Sequence, residues 1–449
     1  MGMNKMGTVY IFYHVDTEGP LYEPISGLFK RIEDTLRIKL HMEPTKKNLE
    51  KILHSSVNTI EKNILSEIRN ICQPHLLNVK NNWSEIDEML FRILSKEYRN
   101  ILLDSYGGGW IYNWHIMDHV GFATNERRRD LGYLNIFNHY EDILKQTGSG
   151  EDEIHWHFHP VSFFREAHRG ATSYENYYNE LHQILCRRLI EKNWFPIVNR
   201  AGFHSIRPDS NWFLEQWIPF DPSNQSINDN NTKQIDEKFG RYGDWQGAPD
   251  NWSLYHPDLY DWRMRGNLNR VVARALNLKT RFRNINKYEI EKAFLKAQKG
   301  DNVYLGIISH DFREISVEID EFREMLLLVS GKFSDIPFKF SPSIDAFRNV
   351  LGYSSEEVEK NKVEFDCSMH DNVLKVTITN GLPFGPQPYL AIKSKTGQYY
   401  HDNFDFGVFK KEYFYTFNRN TIELNKIDKI AVASNDKYGN SFIITKNIN

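Results

Sequence analysis

Short apolar runs and stretches of helical periodicity alternate along most of the chain. The strand-like runs, rich in β-branched and aromatic residues, are residues 8–15, 110–117, 153–158, 195–198 and 303–309. Helical spacing of apolar positions marks residues 126–147, 174–192, 209–217, 287–299 and 316–331. Strands that alternate with helices indicate βα units around a parallel sheet or barrel.

Two segments depart from this alternation. Residues from about 22 to 105 have mostly helical spacing, which predicts a helical insertion that packs as a cap, a wall or an oligomer contact. Beyond residue 352 the pattern changes to short alternating strands separated by turn residues, which is typical of a β-sandwich. We therefore predict an α/β unit over residues 1–352 and an all-β accessory domain over 353–449.

A third segment, residues 221–265, has little periodicity but many Asp, Asn, Trp, Tyr and Gly residues. This composition predicts a long functional loop rather than a packed element. Its aromatic residues are candidates for stacking on sugar rings, and a role in the core is the alternative; they are Trp245, Trp252, Tyr255 and Tyr260.

The composition excludes several classes of protein. Among 449 residues, 56 Lys and Arg nearly balance 59 Asp and Glu, so the basic footprint of a nucleic-acid-binding protein is missing. The hydrophobic share of 40% excludes wholesale disorder. Three scattered cysteines, an N-terminus without an apolar signal core and the lack of any stretch of ~20 apolar residues predict a soluble cytoplasmic protein.

Two groups of side chains could carry chemistry at strand ends. Asp16 and Glu18 follow the first strand and point the same way on an extended backbone, so they could hold a cation and accept a proton. The stronger group is His155, His157 and His159, which alternate with apolar residues. In an extended chain all three face one side, whereas in a helix His155 and His159 would pair. Imidazole with carboxylate is a ligand set that Zn²⁺ accepts, so this pattern predicts a metal site.

Three further candidates follow later predicted strands. Arg200 could pair with a carboxylate, His310 could act as a general acid or base, and the Asp118-His119 pair is a weaker candidate of the same kind. The carboxyl ends of barrel strands share one face, where active sites are built. We therefore expect these side chains to meet there.

In their order along the chain, these motifs resemble the polysaccharide deacetylase superfamily, which comprises carbohydrate esterase family 4 and its divergent relatives. His155 and His159-Pro160 are similar to the family's metal-binding histidine pair, and Ser309-His310 to the segment of its catalytic histidine. Arg200-Ala201-Gly202 resembles its arginine motif, and Phe220-Asp221-Pro222-Ser223 its later aspartate motif. The resemblance covers about residues 8–350 outside the insertion.

The resemblance implies a distorted (β/α)7 barrel and one divalent metal ion, with Zn²⁺ the expected ion. It assigns Glu18, His155 and His159 as ligands and Asp16 as the general base, steadied by Arg200. It assigns His310 as the acid that protonates the leaving amine, oriented by Asp221. The base and ligand roles of Asp16 and Glu18 are interchangeable on this pattern. His157 is an additional histidine, assigned to substrate contact, and it could instead replace or supplement a ligand.

The function implied is hydrolysis of an N-acyl group, expected to be N-acetyl, from an amino sugar or glycan precursor. Without an export signal, a nucleotide-linked or lipid-linked cytoplasmic precursor is the expected substrate. One alternative is hydrolysis of another C–N bond, such as a cyclic amide. Another is a non-catalytic glycan-binding or assembly protein that works through its β-sandwich. An amidohydrolase-type metal site is disfavoured, because its His-x-His motif belongs at the first strand.

Overall fold

A computed structural model of the chain describes residues 6–54, 60–161, 165, 173–227 and 243–448. Eight strands belong to its first sheet. They are β1 (Val9–Thr17), β2 (Tyr112–Ile116), β3 (Glu153–Phe158), β4 (Asn199–Ala201), β5 (Phe220–Asn224), β6 (Val271–Asn277), β7 (Val303–His310) and β8 (Phe338–Phe340).

Seven of these strands form a nearly closed parallel barrel. Their spatial order is β4-β3-β2-β1-β7-β6-β5, and β8 pairs with the first residues of β1. The two outer strands meet through a parallel bridge between Val198 and Phe220. The parallel barrel and the α/β class predicted from the alternating pattern are thus confirmed, and all strands run in the same direction toward one face.

Helices on the outside of the barrel follow the strands, and two more lead into the C-terminal region. Numbered after the six helices of the insertion described below, they are α7 (Asn135–Gln146), α8 (Tyr178–Lys192), α9 (Pro208–Trp217), α10 (Lys287–Gln298), α11 (Ile315–Ser330), α12 (Ser343–Leu351) and α13 (Ser355–Lys360). In the described part of the chain, no helix has the length and apolar composition needed to cross a bilayer.

The predicted insertion is helical and has two parts. Its helices are α1 (Ile25–Leu36), α2 (Lys46–His54), α3 (Lys62–Ile71), α4 (Pro74–Leu77), α5 (Trp83–Ile93) and α6 (Lys96–Arg99). The first three share a small core of their own around Ile32, Ile52 and Ile68. In contrast, α5 packs Ile86 and Leu90 into the main barrel core.

The C-terminal region contains two four-stranded antiparallel sheets. The first has the order β13-β14-β10-β9 and the second β12-β11-β15-β16. Their strands are β9 (Glu364–His370), β10 (Val373–Asn380), β11 (Tyr389–Ser394), β12 (Tyr399–Asp402), β13 (Asp405–Phe406), β14 (Glu412–Thr416), β15 (Ile427–Asn435) and β16 (Ser441–Asn447).

The two sheets share one hydrophobic core and also join the barrel. Val376 of the first sheet and Ile392 of the second belong to the same buried cluster, as expected for facing sheets. On its other side, β11 places Tyr389 and Ala391 against Leu185 of α8. The sandwich therefore packs on the outer layer of the barrel.

Several predicted boundaries were wrong. The helix predicted from residue 126 begins at Asn135, and the strand predicted at 195–198 is β4, which begins at Asn199. The predicted loop at 221–265 contains most of β5, while β6 was not predicted at all. β5 carries polar side chains that accept and donate hydrogen bonds inside the barrel, so an apolar pattern could not reveal it. β6, in contrast, is a buried and mostly apolar run that the prediction missed.

Candidate metal centre and active site

The carboxyl ends of four barrel strands bring the predicted polar side chains together. β1 leads into the two acidic residues, β3 into the histidines, β4 carries the arginine and β7 ends at the last histidine. The prediction that these strand ends share a face is confirmed. The residues are Asp16, Glu18, His157, His159, Arg200 and His310.

Three of these side chains form a group that could hold a metal ion. Glu18, His157 and His159 each offer one ligand atom, and the three atoms lie within 4.8 Å of one another. The Nε2 atoms of the two histidines are 2.9 Å apart, and His159 Nε2 lies 3.8 Å from Glu18 Oε1. Glu18 and His157 are buried, and His159 is half-buried at the edge of a cavity.

The protonation states of this group suit a cation. The Nδ1–H of His157 donates to the carbonyl oxygen of Arg200 over 2.7 Å, which directs its Nε2 toward His159 Nε2. Burial and the neighbouring His157 hold the pKa of His159 well below its usual value, so that ring is neutral. Burial alone would raise the pKa of Glu18, but the charge of the adjacent Arg129 guanidinium opposes it, and that pKa lies well below normal. Neutral imidazoles with an ionised carboxylate are the forms that bind Zn²⁺, so the donor set fits a divalent ion.

A carboxylate and a guanidinium fix Glu18 in place. Asp311 accepts hydrogen bonds from the backbone N–H groups of Glu18 and Gly19, each over 2.9 Å. Arg129 Nη1 donates to Glu18 Oε2 over 2.5 Å, which leaves Oε1 facing His159. The carbonyl oxygen of Glu18 lies 2.9 Å from His119 Nε2. Both the side chain and the backbone of Glu18 are therefore held.

The chain passes very close to the ring of His159. A Cβ atom on Gly202 would lie 2.3 Å from Cδ2 of His159 and 2.6 Å from the Phe158 carbonyl oxygen. The ring of Phe203 contacts the same imidazole, with ring centres 4.4 Å apart. Glycine at position 202 is therefore required for this position of the His159 ring.

Asp16 lies beside the metal group rather than in it. Its Oδ1 is 3.0 Å from Arg200 Nε and 3.9 Å from His157 Nδ1, and its Oδ2 is 3.8 Å from His310 Nε2. Among the described residues, neither oxygen has a hydrogen-bond partner with good geometry, although the side chain is 1% exposed. A buried carboxylate whose oxygens have no hydrogen-bond partner has lone pairs available to accept a proton, and Arg200 fixes its position.

His310 completes this second group. Its Nδ1 lies 3.4 Å from Arg313 Nη1, and its ring lines the cavity. Burial and Arg313 lower the pKa of His310 to about 4, although Asp16 and Glu18 oppose them. The imidazole is therefore neutral near pH 7.

The structure does not bring His155 into the metal group. Its Nε2 lies 3.0 Å from Glu153 Oε2 and 3.4 Å from Asn113 Oδ1, deep in the barrel. The assignment of His155 as a ligand is thus corrected, and His157, which was assigned to substrate contact, takes its place. The physical reason is that β3 stays extended, so His155 and His159 are separated by roughly 13 Å of strand.

Asp221 does not orient His310. It is the second residue of β5, and its carboxylate pairs with Arg270 while it accepts hydrogen bonds from Ser223 and Asn199. This buried network holds β5 inside the barrel. The role predicted for Asp221 is therefore replaced by a structural one.

The aromatic residues predicted to stack on sugars are buried. Trp245 and Trp252 are each 1% exposed, and their indole N–H groups donate to the carbonyl oxygens of His204 and Glu289. Tyr255 is equally buried and donates to the Trp262 carbonyl. The alternative core role is the correct one for these three rings, whereas Tyr260 is exposed.

A cavity of about 860 Å³ opens above the metal group. Its floor is formed by the strand ends, including Asp16, Glu18, His159 and His310. Its roof is formed by the insertion, so the expectation of a cap or wall is confirmed. Residues 221–227 and 243–265, which are the described parts of the predicted loop, do not line it.

Sequence reasoning missed Arg129 and the holding role of Asp311. Arg129 lies in the run Arg127-Arg128-Arg129, which falls in a predicted helix but is a loop after β2 in the structure. Three consecutive arginines after a strand that leads to an active-site face were the available signal. Asp311 directly follows His310, and a carboxylate next to a candidate catalytic residue was the signal available for it.

Comparisons with known proteins give no match for this chain: no family profile, no curated protein and no solved structure is similar to it.

Proposed function

We propose that the chain is a metal-dependent hydrolase that removes an N-acyl group from an amino sugar or glycan precursor. The observation that carries this proposal is the pairing of a Glu-His-His group with a separate buried carboxylate, Asp16, on the cavity floor. Hydrolysis of an amide needs an activated water, a base to take its proton and an acid for the leaving nitrogen. The floor of the cavity has a candidate for each of these tasks.

Glu18, His157 and His159 would hold the ion. A divalent metal bound there supplies Lewis acidity, which polarises the acyl carbonyl and lowers the pKa of water at the site. The remaining tasks belong to the protein. The fixed tautomer of His157 and the salt bridge from Arg129 to Glu18 keep the ligand atoms directed at one point.

Asp16 is the general base in this proposal. Its free oxygens accept the proton of the water that attacks the carbonyl carbon, while Arg200 holds the carboxylate in position. His310 starts neutral because of its low pKa, so it must gain a proton before it can donate one. With Nε2 only 3.8 Å from Asp16 Oδ2, it can receive that proton and pass it to the leaving amine.

The test is an assay of acyl release from a panel of N-acetylated amino sugars and their nucleotide-linked forms by the zinc-loaded protein. Asp16→Asn should lower kcat by about 10²- to 10⁴-fold, with zinc content unchanged. Glu50→Gln, a matched loss of charge at an exposed position of the same cavity, should keep the wild-type rate. A zinc-loaded protein that releases no acyl group from any substrate, or full activity in Asp16→Asn, would contradict the proposal.

A further inference from the structure

The roof of the cavity differs chemically from its floor. The floor presents carboxylates, imidazoles and guanidinium groups from the barrel, whereas the insertion adds a set of aliphatic side chains beside polar ones such as Glu23, Arg31 and Lys46. Six of the aliphatic side chains are half-buried and line the cavity, and we call them the aliphatic wall: Ile25, Leu49, Leu53, Leu76, Leu77 and Val79.

Helix α2 shows how the wall is built. Lys46, Leu49, Glu50 and Leu53 all line the cavity, and their spacing places them on one face of the helix. On another face, Ile52 is fully buried in the insertion's own core. Leu49 and Leu53 lie between these two faces: each packs partly against the insertion's core and partly lines the cavity.

A wall of this kind is poorly suited to a sugar ring alone. Hydroxyl groups placed against it would lose hydrogen bonds to water without gaining partners. Covering an apolar surface with an apolar group is favourable in proportion to the area that is removed from water. The cavity volume, about 860 Å³, lies toward the upper end of the range for small-molecule sites, so it has room for such a group beside the polar part of a substrate.

We infer that the substrate carries a linear apolar chain of several carbons, which lies against the aliphatic wall while the amide reaches the cavity floor. This inference rests on the proposed function for the position of the amide. The chain could be the acyl group itself or a lipid attached to the anomeric oxygen. Both have the same chemistry at the wall, and the test separates them.

The experiment measures binding rather than turnover. Titration calorimetry of the zinc-loaded full chain compares three ligands below their micelle concentrations: the methyl and hexyl β-glycosides of N-acetylglucosamine, and methyl N-hexanoylglucosaminide. One of the two ligands with a six-carbon chain should bind at least tenfold more tightly than the methyl glycoside. Tighter binding of the hexyl glycoside would identify the chain as a lipid on the anomeric oxygen, and tighter binding of the hexanoyl ligand would identify it as the acyl group.

Variants of the wall make the test specific. The double variant Leu49→Ser/Leu53→Ser should reduce the gain from the chain to threefold or less, because the two side chains that cover it are lost. Leu328→Ser, a matched change at an exposed leucine of α11 away from the cavity, should leave the gain intact. Equal binding of all three ligands, or a gain that persists in the double variant, would overturn the inference. The readout stands apart from turnover, so a chain-dependent gain without hydrolysis would support the aliphatic wall while contradicting the proposed function.

Discussion

The Nε2 atoms of His157 and His159 lie 2.9 Å apart, and the Nδ1–H of His157 is already committed to the Arg200 carbonyl. His157 therefore turns its other ring nitrogen, Nε2, toward His159. Together with the neutral imidazole of His159 and the ionised Glu18, this nitrogen completes a donor set that a divalent cation can fill.

The close approach of Gly202 to His159 makes a small substitution informative. Gly202→Ala places a methyl group 2.3 Å from the imidazole and must displace the ring or the backbone. We expect zinc affinity to fall by about tenfold or more, as for other losses of ligand orientation. A competitive chelator titration measures it.

The matched control is Gly150→Ala. Its added methyl group would have no neighbour within 4 Å, and its backbone is not left-handed. It should bind zinc as the wild type does. Unchanged zinc affinity in Gly202→Ala would show that zinc binding does not depend on the position of the His159 ring described here.

Asp311 tests whether the backbone at Glu18 must be held. Asp311→Asn places an amide donor against one of the two backbone N–H donors of Glu18 and Gly19. We expect a loss of roughly 1–3 kcal/mol in the free energy of unfolding, together with weaker zinc binding, because a buried donor is left without an acceptor. Urea unfolding should be measured at pH 8, since burial raises the pKa of Asp311 to about 7.

Tyr140→Phe provides the comparison. It removes only the hydroxyl that donates to Asp311 Oδ2 over 2.9 Å and leaves both backbone hydrogen bonds in place. Its effect on zinc affinity should be smaller than that of Asp311→Asn. Equal zinc affinity in the wild type and Asp311→Asn would mean that Asp311 does not position Glu18.

The contact between the barrel and the β-sandwich should be sensitive to acid. His182 of α8 stacks on His401 of β12, with ring centres 4.2 Å apart, and its Nδ1 lies 2.8 Å from the Tyr389 hydroxyl. Burial, with a smaller effect of His401, lowers the pKa of His182 to about 2, and burial lowers that of His401 to about 4.

The sign of the effect follows from these directions. In the unfolded chain both histidines take up protons near pH 6.5, whereas in the folded protein they do so only at about pH 2 and pH 4. Their contribution to stability is therefore complete above pH 6.5 and decreases as the pH falls below it. Between pH 7.5 and 5.5 each histidine should account for about 1.4 kcal/mol of lost stability.

His182→Phe isolates one of these contributions while keeping a ring against His401. The free energy of unfolding from urea titrations at pH 7.5 and 5.5 should differ by about 1.4 kcal/mol less in this variant than in the wild type. His54→Phe, at an exposed position of the insertion, should leave the wild-type difference unchanged. An identical pH dependence in His182→Phe would show that His182 titrates in the folded protein as it does in the unfolded chain.

The parts of the fold that were predictable from the sequence are those with a periodic apolar pattern. β1 and β7 are continuous buried runs, and α8 and α10 lie where helical spacing placed them. In contrast, β5 contains Asp221, Pro222 and Ser223, and its burial depends on partners such as Arg270 that are distant in sequence.

The candidate site was predictable in position but not in detail. The strand ends identified Asp16, Glu18 and His310, because the direction of parallel strands follows from the alternating pattern. The choice between His155 and His157 depended on whether β3 continues or turns into a helix at that point, and the local sequence permits both. Arg129 reaches Glu18 from a loop, and a loop's path is set by tertiary contacts rather than by local periodicity.

The most direct test of the account is the zinc content of three purified proteins, measured by inductively coupled plasma mass spectrometry after exhaustive dialysis. The wild type and His155→Asn should each retain about one zinc ion per chain, because His155 contacts Glu153 and Asn113 rather than the metal group. His157→Asn should retain almost none, because it removes one of the three ligand atoms. Zinc retained in His157→Asn but lost in His155→Asn, or no zinc in the wild type, would contradict the metal centre described here.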